Sequence, residues 1–167
     1  MAQKKKTVVA VSGGFDPLHV GHLRLFKEAK KLGTHLVVIL NNDNWLKRKK
    51  GFALMPEDER AEIIRALEMV DDVVLTSHAP NDPDTSTCVA LSELRPHVFA
   101  NAGDRKKPAD IPEGVVCEAH GIRMVFFEFE KGKKKKKHSS SEIVARAAAA
   151  LRGMGKAIRP KAKTGRR

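Results

Sequence analysis

The sequence predicts an α/β fold, a doubly wound parallel sheet of five strands with helices on both faces. Three observations lead there. Five short runs rich in β-branched residues recur along the chain: Thr7 to Ser12, His35 to Leu40, Asp72 to Thr76, His97 to Ala100 and Arg123 to Phe129. Segments of helical periodicity separate them, and strands alternating with helices imply parallel pairing. The runs are nearly continuous in apolar residues, as strands are when helices cover both faces of a sheet. Right-handed crossovers then give a Rossmann-like arrangement whose ligand cleft lies at the carboxyl ends of the strands.

The helices between the strands are signalled by their ends. For the first, Asp16 reads as N-cap with Pro17 in the opening turn; Leu18, Leu23, Leu25, Phe26 and Ala29 form an apolar stripe that stops at Gly33. The second opens at Pro56, with Glu57, Asp58 and Glu59 against its positive end, and its periodicity predicts Ile63, Ile64 and Leu67 as buried. The last begins with a capping box, Ser139 with Glu142 three residues on, ahead of Ile143, Val144 and an alanine run. Beyond Leu151, glycines and Pro160 end regular structure, which predicts one folded domain over residues 1–151 and a basic tail over 152–167. The segments following strands are Ser12 to Asp16, Asn41 to Met55, Asn101 to Pro108 and Glu130 to His138, each expected as a cleft loop.

Composition narrows the class further. The chain has 167 residues, enough for one domain and little more. It is 41% hydrophobic and 31% charged, too apolar for a disordered chain and too interrupted by charge to span a bilayer. The net charge of +12 is local, because five lysines at Lys133 to Lys137 and seven basic residues in 152–167 account for all of it. Cys88 and Cys117 stand alone, without CxxC spacing, which suits free thiols in a reducing compartment. The apolar stretch Val8 to Val11 is too short for a signal peptide, so a cytoplasmic location is expected.

The first loop carries the strongest chemistry. It reads Ser12-Gly13-Gly14-Phe15-Asp16-Pro17-Leu18-His19-Val20-Gly21-His22. Two glycines at a strand-to-helix turn let backbone N–H groups approach an anion, and the helix N-terminus behind them adds partial positive charge. His19 and His22 are three apart, so both imidazoles share one helical face that points back toward that phosphate cradle. Gly21 between them removes a side chain that would crowd the approach.

The segment GGFDPLHVGH resembles the signature of the HxGH nucleotidyltransferase superfamily, in the form of its cytidylyltransferase-like family. The resemblance runs to about Leu151 and is similar in kind to the adenylyltransferase domain of ADP-heptose synthase, glycerol-3-phosphate cytidylyltransferase and ethanolamine-phosphate cytidylyltransferase. Asn41-Asn42-Asp43 followed by Lys47 to Gly51 is similar to the family's lysine-bearing loop, with Lys50 in the lysine's place. Pro56 to Arg60, Gly103-Asp104 and Ser139-Ser140-Ser141 resemble three further family segments. Relatives often carry an arginine or a glycine-rich link shortly before the serine-rich segment; here Gly132 and then five lysines stand instead, and Lys134 is nearest to the arginine's place by spacing.

The resemblance implies transfer of a nucleotidyl group from CTP or ATP to a phosphorylated small molecule, such as a sugar phosphate, glycerol phosphate or phospho-amino-alcohol, with release of pyrophosphate. It implies His19, His22 and Lys50 as catalytic residues. Ser12, Gly13, Gly14, Phe15, Gly21, Asp104, Lys134, Ser139 and Ser140 are implied at the nucleotide, and Arg60 at the acceptor. Magnesium (Mg2+) is expected to arrive on the triphosphate rather than in a protein cage. A homodimer is also expected. The basic tail is expected to bind polyanions nonspecifically, and a nucleic-acid-binding protein on a degenerate version of this fold is the competing reading. Against it, aromatic residues make up 5% of the chain and none is interleaved with the basic runs. A dinucleotide-dependent oxidoreductase is excluded because no GxGxxG follows the first strand.

Overall fold

The structure, a computed structural model, describes residues 6–102, 107–129 and 139–153. Five parallel strands form its sheet in the order β3-β2-β1-β4-β5: β1 (Val8–Gly13), β2 (His35–Leu40), β3 (Asp72–Leu75), β4 (Val98–Ala102) and β5 (Arg123–Phe127). The chain reverses direction across β1, which therefore flanks the switch point where open α/β sheets bind ligands. Among the described residues six α-helices connect or follow the strands: α1 (Val20–Lys30), α2 (Asp43–Lys50), α3 (Glu57–Arg65), α4 (Cys88–Leu94), α5 (Glu113–Ala119) and α6 (Ser140–Gly153).

The near-continuous apolar strands are explained by two cores, one on each face. Val9, Val11, Leu36, Val38, Leu40, Val98 and Ala100 pack on Leu25, Phe26 and Ala29 of α1 and Ala61 and Ile64 of α3. The alternate residues Ala10, Ile39 and Phe99 face Ala90 and Leu91 of α4 and Cys117 of α5. Burial raises the Cys117 thiol pKa to about 11, so it behaves as a small apolar core residue. No helix among the described residues is long and apolar enough to cross a membrane.

Several sequence expectations are corrected. Asp16 does not cap α1; His19 does, and Asp16 is turned inward. The helix ends at Lys30, before Gly33, where glycine is required because a Cβ would stand 2.5 Å from the Thr7 carbonyl oxygen. Residues Asn41 to Met55 are not a loop throughout, since Asn42 caps α2 by accepting a hydrogen bond from the Trp45 N–H at 3.0 Å. In α3 it is Ile64 that is buried, whereas Ile63 faces solvent. The short helices α4 and α5 carry no side-chain cap bond, which is why no end signal marks them in the sequence.

Candidate active site

The turn after β1 is tighter than an open cradle. Neither Gly13 nor Gly14 has a positive φ, so conformational freedom is not what selects them. Room is. A Cβ on Gly13 would lie 2.9 Å from Cζ of Phe15, and one on Gly14 would lie 2.7 Å from Cδ2 of Leu46, a side chain with no exposure that cannot step aside. Phe15 itself takes the left-handed region, φ 47°, and buries its ring edge-on against His22 and Phe26 at centroid distances of 4.9 and 5.1 Å. Expected at the nucleotide, the Phe15 side chain is thus the floor beneath a histidine.

The two histidines build a cap out of imidazoles. Nδ1 of His19, the N-cap residue, accepts a hydrogen bond from the Gly21 N–H at 3.1 Å. Nδ1 of His22 accepts one from the His19 N–H at 3.3 Å, closing a reciprocal capping box. The rings stack with centroids 3.7 Å apart and planes 23° from parallel. Because Nδ1 is the acceptor in each ring, the proton of a neutral imidazole sits on Nε2, so the cap presets both rings as Nε2–H donors. Burial, then His19 and Lys50, lower the His22 pKa from 6.5 to about 3, so His22 is neutral at physiological pH. A neutral donor suits a site that must accept anions and release them.

That depression has a measurable consequence for stability. In the unfolded chain His22 takes a proton near pH 6.5, whereas the folded protein refuses it until about pH 3. Its contribution to stability is therefore complete above pH 6.5 and is lost as the pH falls toward 3. His22→Gln keeps an acceptor at the third helical position but cannot titrate. The melting temperature of wild type is expected to drop more steeply between pH 7 and pH 4 than that of His22→Gln. Parallel slopes in the two proteins would remove His22 from the pH dependence.

Lys50 is set apart from the rest of its basic run. It is the last residue of α2, where Gly51 at φ 83° stops the helix, and its Nζ donates to the Asp16 carbonyl oxygen at 3.1 Å. Lys47, Arg48 and Lys49 are exposed. Burial lowers the Lys50 pKa, the Asp16 carboxylate raises it, and the Arg60 guanidinium lowers it. The bond to the Asp16 carbonyl oxygen places the ammonium at the turn that leads to His19 and His22.

Arg60 lies deeper than an acceptor contact would. It is 1% exposed. Nη1 donates to the carbonyl oxygens of Gly14 at 2.7 Å and Asn41 at 2.9 Å, Nε donates to that of Met55 at 3.0 Å, and Nη2 pairs with Asp43 Oδ1 at 2.7 Å. One guanidinium thus ties the glycine turn, the end of β2, the start of α2 and the segment before α3. The expected acceptor role gives way to that of a brace behind the cleft, because its donors already point into the protein.

The last helix closes over the same turn. Ser139 Oγ accepts from the Glu142 N–H at 3.1 Å, as the capping box predicts, and Ser140 Oγ donates to the Pro17 carbonyl oxygen at 2.9 Å. The N-terminus of α6, with its partial positive charge, therefore stands beside the segment leading to His19. Ser12 lies in β1, one residue before its end, and Gly21 in the first turn of α1. Asp104, Lys134, the Lys133 to Lys137 run and the tail from residue 154 lie outside the described residues.

Comparison with known proteins agrees with this geometry. The model of the cytidylyltransferase-like family matches residues 10–146. The chain is 39% identical over 106 residues to the FAD synthase of Pyrococcus abyssi, a match covering 63% of this chain and 68% of that one. It is 38% identical over 148 residues to the bifunctional protein HldE of Streptomyces coelicolor, covering 87% of this chain but only 29% of the larger protein. Among solved structures, a lipopolysaccharide core biosynthesis protein from Thermoplasma volcanium superimposes with a TM-score of 0.63 at 26% identity, over 75% of this chain and 99% of that one. Because the family match takes in all of the sheet but the first two residues of β1, together with the histidines, lysine and serines just described, the chain belongs to the cytidylyltransferase-like family and is a nucleotidyltransferase.

Proposed function

We propose that the protein transfers an adenylyl group from ATP to the phosphate of a small molecule. An acceptor phosphate oxygen attacks the α-phosphorus, the bond from that phosphorus to the oxygen bridging to the β-phosphate breaks, and pyrophosphate leaves. The observation that carries this reading is the pair of stacked imidazoles whose Nδ1 atoms both accept from backbone N–H groups of the helix start, which orients each ring to donate through Nε2. Donors fixed in advance lower the barrier by meeting charge that develops on the phosphoryl oxygens without reorganising. Lys50 neutralises the α-phosphate and bridges to the acceptor. Backbone N–H groups of the glycine turn and the start of α6, with Ser139 and Ser140, receive the β- and γ-phosphates. The preference for ATP over CTP rests on the FAD synthase and HldE relatives.

The described part of the cleft offers imidazole, ammonium and backbone N–H groups, and the Asp16 carboxylate at the turn has both oxygens hydrogen-bonded to backbone N–H groups. Among the described residues no group of three or more His, Cys, Asp or Glu gathers to hold a metal. Mg2+ carried in on the triphosphate oxygens would draw off negative charge there.

The test is pyrophosphate release from ATP and from CTP, each with flavin mononucleotide, sugar phosphates, glycerol 3-phosphate and phosphoethanolamine. Release that depends on one acceptor supports transfer and names the substrate. No release with any pair, together with salt-sensitive DNA binding, would favour the nucleic-acid reading instead. Lys50→Ala is expected to cut turnover about a hundredfold, as removal of one positioned electrostatic donor does, while Lys47→Ala and Lys49→Ala stay within about threefold. Equal losses at all three positions would mean that the basic run acts as a diffuse field.

A further inference from the structure

Asp16 is 2% exposed, and a buried carboxylate is costly unless it is hydrogen-bonded. Its partners are backbone groups far along the chain: Oδ2 accepts from the Leu54 N–H at 2.6 Å and Oδ1 from the Met55 N–H at 3.0 Å. Its own carbonyl oxygen receives the Lys50 ammonium. One residue of the glycine turn therefore grips both ends of the segment from Lys50 to Met55. We infer that Asp16 is a positioning residue for nucleotidyl transfer, fixing the lysine-bearing segment, and with it the Lys50 ammonium, in register with the histidine turn. The inference rests on the catalytic reading of Lys50 given above.

The segment has little else to hold it. Phe52 and Leu54 are 43% and 52% exposed, so their side chains supply no full anchor. Gly51 has nothing within 4 Å of where a Cβ would lie, so no packing fixes the turn out of α2. Beside the Gly51 N–H bond to the Lys47 carbonyl oxygen and the half-buried Ala53 and Met55, the segment is held by the Lys50 bond to the Asp16 carbonyl oxygen, the two N–H bonds to the Asp16 carboxylate and the Arg60 bond to the Met55 carbonyl oxygen. On its other side Asp16 follows Phe15, whose ring supports His22. A displacement at Asp16 thus moves the lysine and the floor under the imidazole together. The charged and titratable groups that face Lys50 are Asp16, Arg60 of α3 and His22 of α1, and Asp16 is the anion among them.

Asp16→Asn tests this, because asparagine keeps the shape, removes the charge and turns an N–H₂ toward one of the two backbone N–H groups. Turnover per folded molecule is expected to fall about tenfold to a hundredfold, since misplacement of a reacting group by an ångström has that effect. The KM for triphosphate should change less than kcat, and the alkaline limb of the kcat profile should move to lower pH as Lys50 loses its anion. A merely structural Asp16 would lower the melting temperature and leave both the kcat of the folded fraction and the alkaline limb in place, which would overturn the inference. Asp16→Glu keeps the charge but not the position: low kcat with an unmoved limb is expected, and wild-type kcat would likewise overturn it. Titration of ¹³C-methylated lysines, with Lys50 assigned through Lys50→Arg, reads the same coupling without turnover. An unmoved Lys50 titration in Asp16→Asn counts against Asp16 even if Lys50 proves dispensable, whereas full activity of Lys50→Ala counts against the catalytic reading alone.

Discussion

His19→Ala and His22→Ala are each expected to lower kcat about a hundredfold to a thousandfold, the loss that follows when one preorganised donor to a developing oxyanion is removed. The two rings are stacked, share one helix start and have their Nδ1 atoms occupied, so neither can turn to replace the other. Each alanine also deletes part of the helix cap, which costs about 1 kcal/mol and lowers the melting temperature a few degrees without unfolding the protein. His22→Gln separates the two effects. It keeps an acceptor for the His19 N–H, so its stability at neutral pH should stay close to that of wild type, while its turnover falls with that of the alanine variant. Steady-state kinetics beside thermal melts decide the matter, and wild-type turnover in either alanine variant would take that ring out of the chemistry.

Arg60→Met is expected to destabilise the protein by about 3–5 kcal/mol, the range for breaking a buried ion pair from one side. Methionine fills the space but strands the carbonyl oxygens of Gly14, Asn41 and Met55 and leaves Asp43 without its cation. Arg60→Lys should recover only a small part, because a single ammonium lacks the planar fork that reaches four acceptors. Urea unfolding of both variants measures this, and a loss below about 1 kcal/mol would place Arg60 with ordinary surface positions. Since three of the stranded groups belong to the cleft walls, turnover should fall at temperatures well below the melt.

Some of this was legible in the sequence for definite reasons. The strands declared themselves by unbroken apolar runs, and the histidines by a three-residue spacing behind two glycines at a strand end. Lys50 was singled out by resemblance alone, as the lysine beside Gly51 in a stretch expected as a loop, and the structure places it at the end of a helix instead. Asp16 was not legible. An acid before a proline at a helix start carries the local signature of a cap, and its actual partners lie 38 and 39 residues away. Arg60 follows three acids on an amphipathic helix, which reads as solvated charge. That it is buried depends on the Gly14 carbonyl oxygen 46 residues earlier, and no local pattern encodes such a meeting. The glycines were expected for what approaches from outside, but what they accommodate is Phe15 and Leu46 from within.

The Ser140–Pro17 hydrogen bond spans 123 residues, and it sets an order of events during synthesis. The imidazole pair leaves the ribosome early, yet β1 cannot acquire its neighbour β4 until Val98 has emerged, and the roof over the turn must wait for α6. Contacts of such long range are the slow ones to form. A nascent or prematurely terminated chain ending before Ser139 carries the histidines and Lys50 without the helix end that faces them. Such a fragment lacks the Ser140 bond to the Pro17 carbonyl oxygen that joins α6 to the turn. The contact that brings α6 to the histidine turn is thus among the last that the described chain can form.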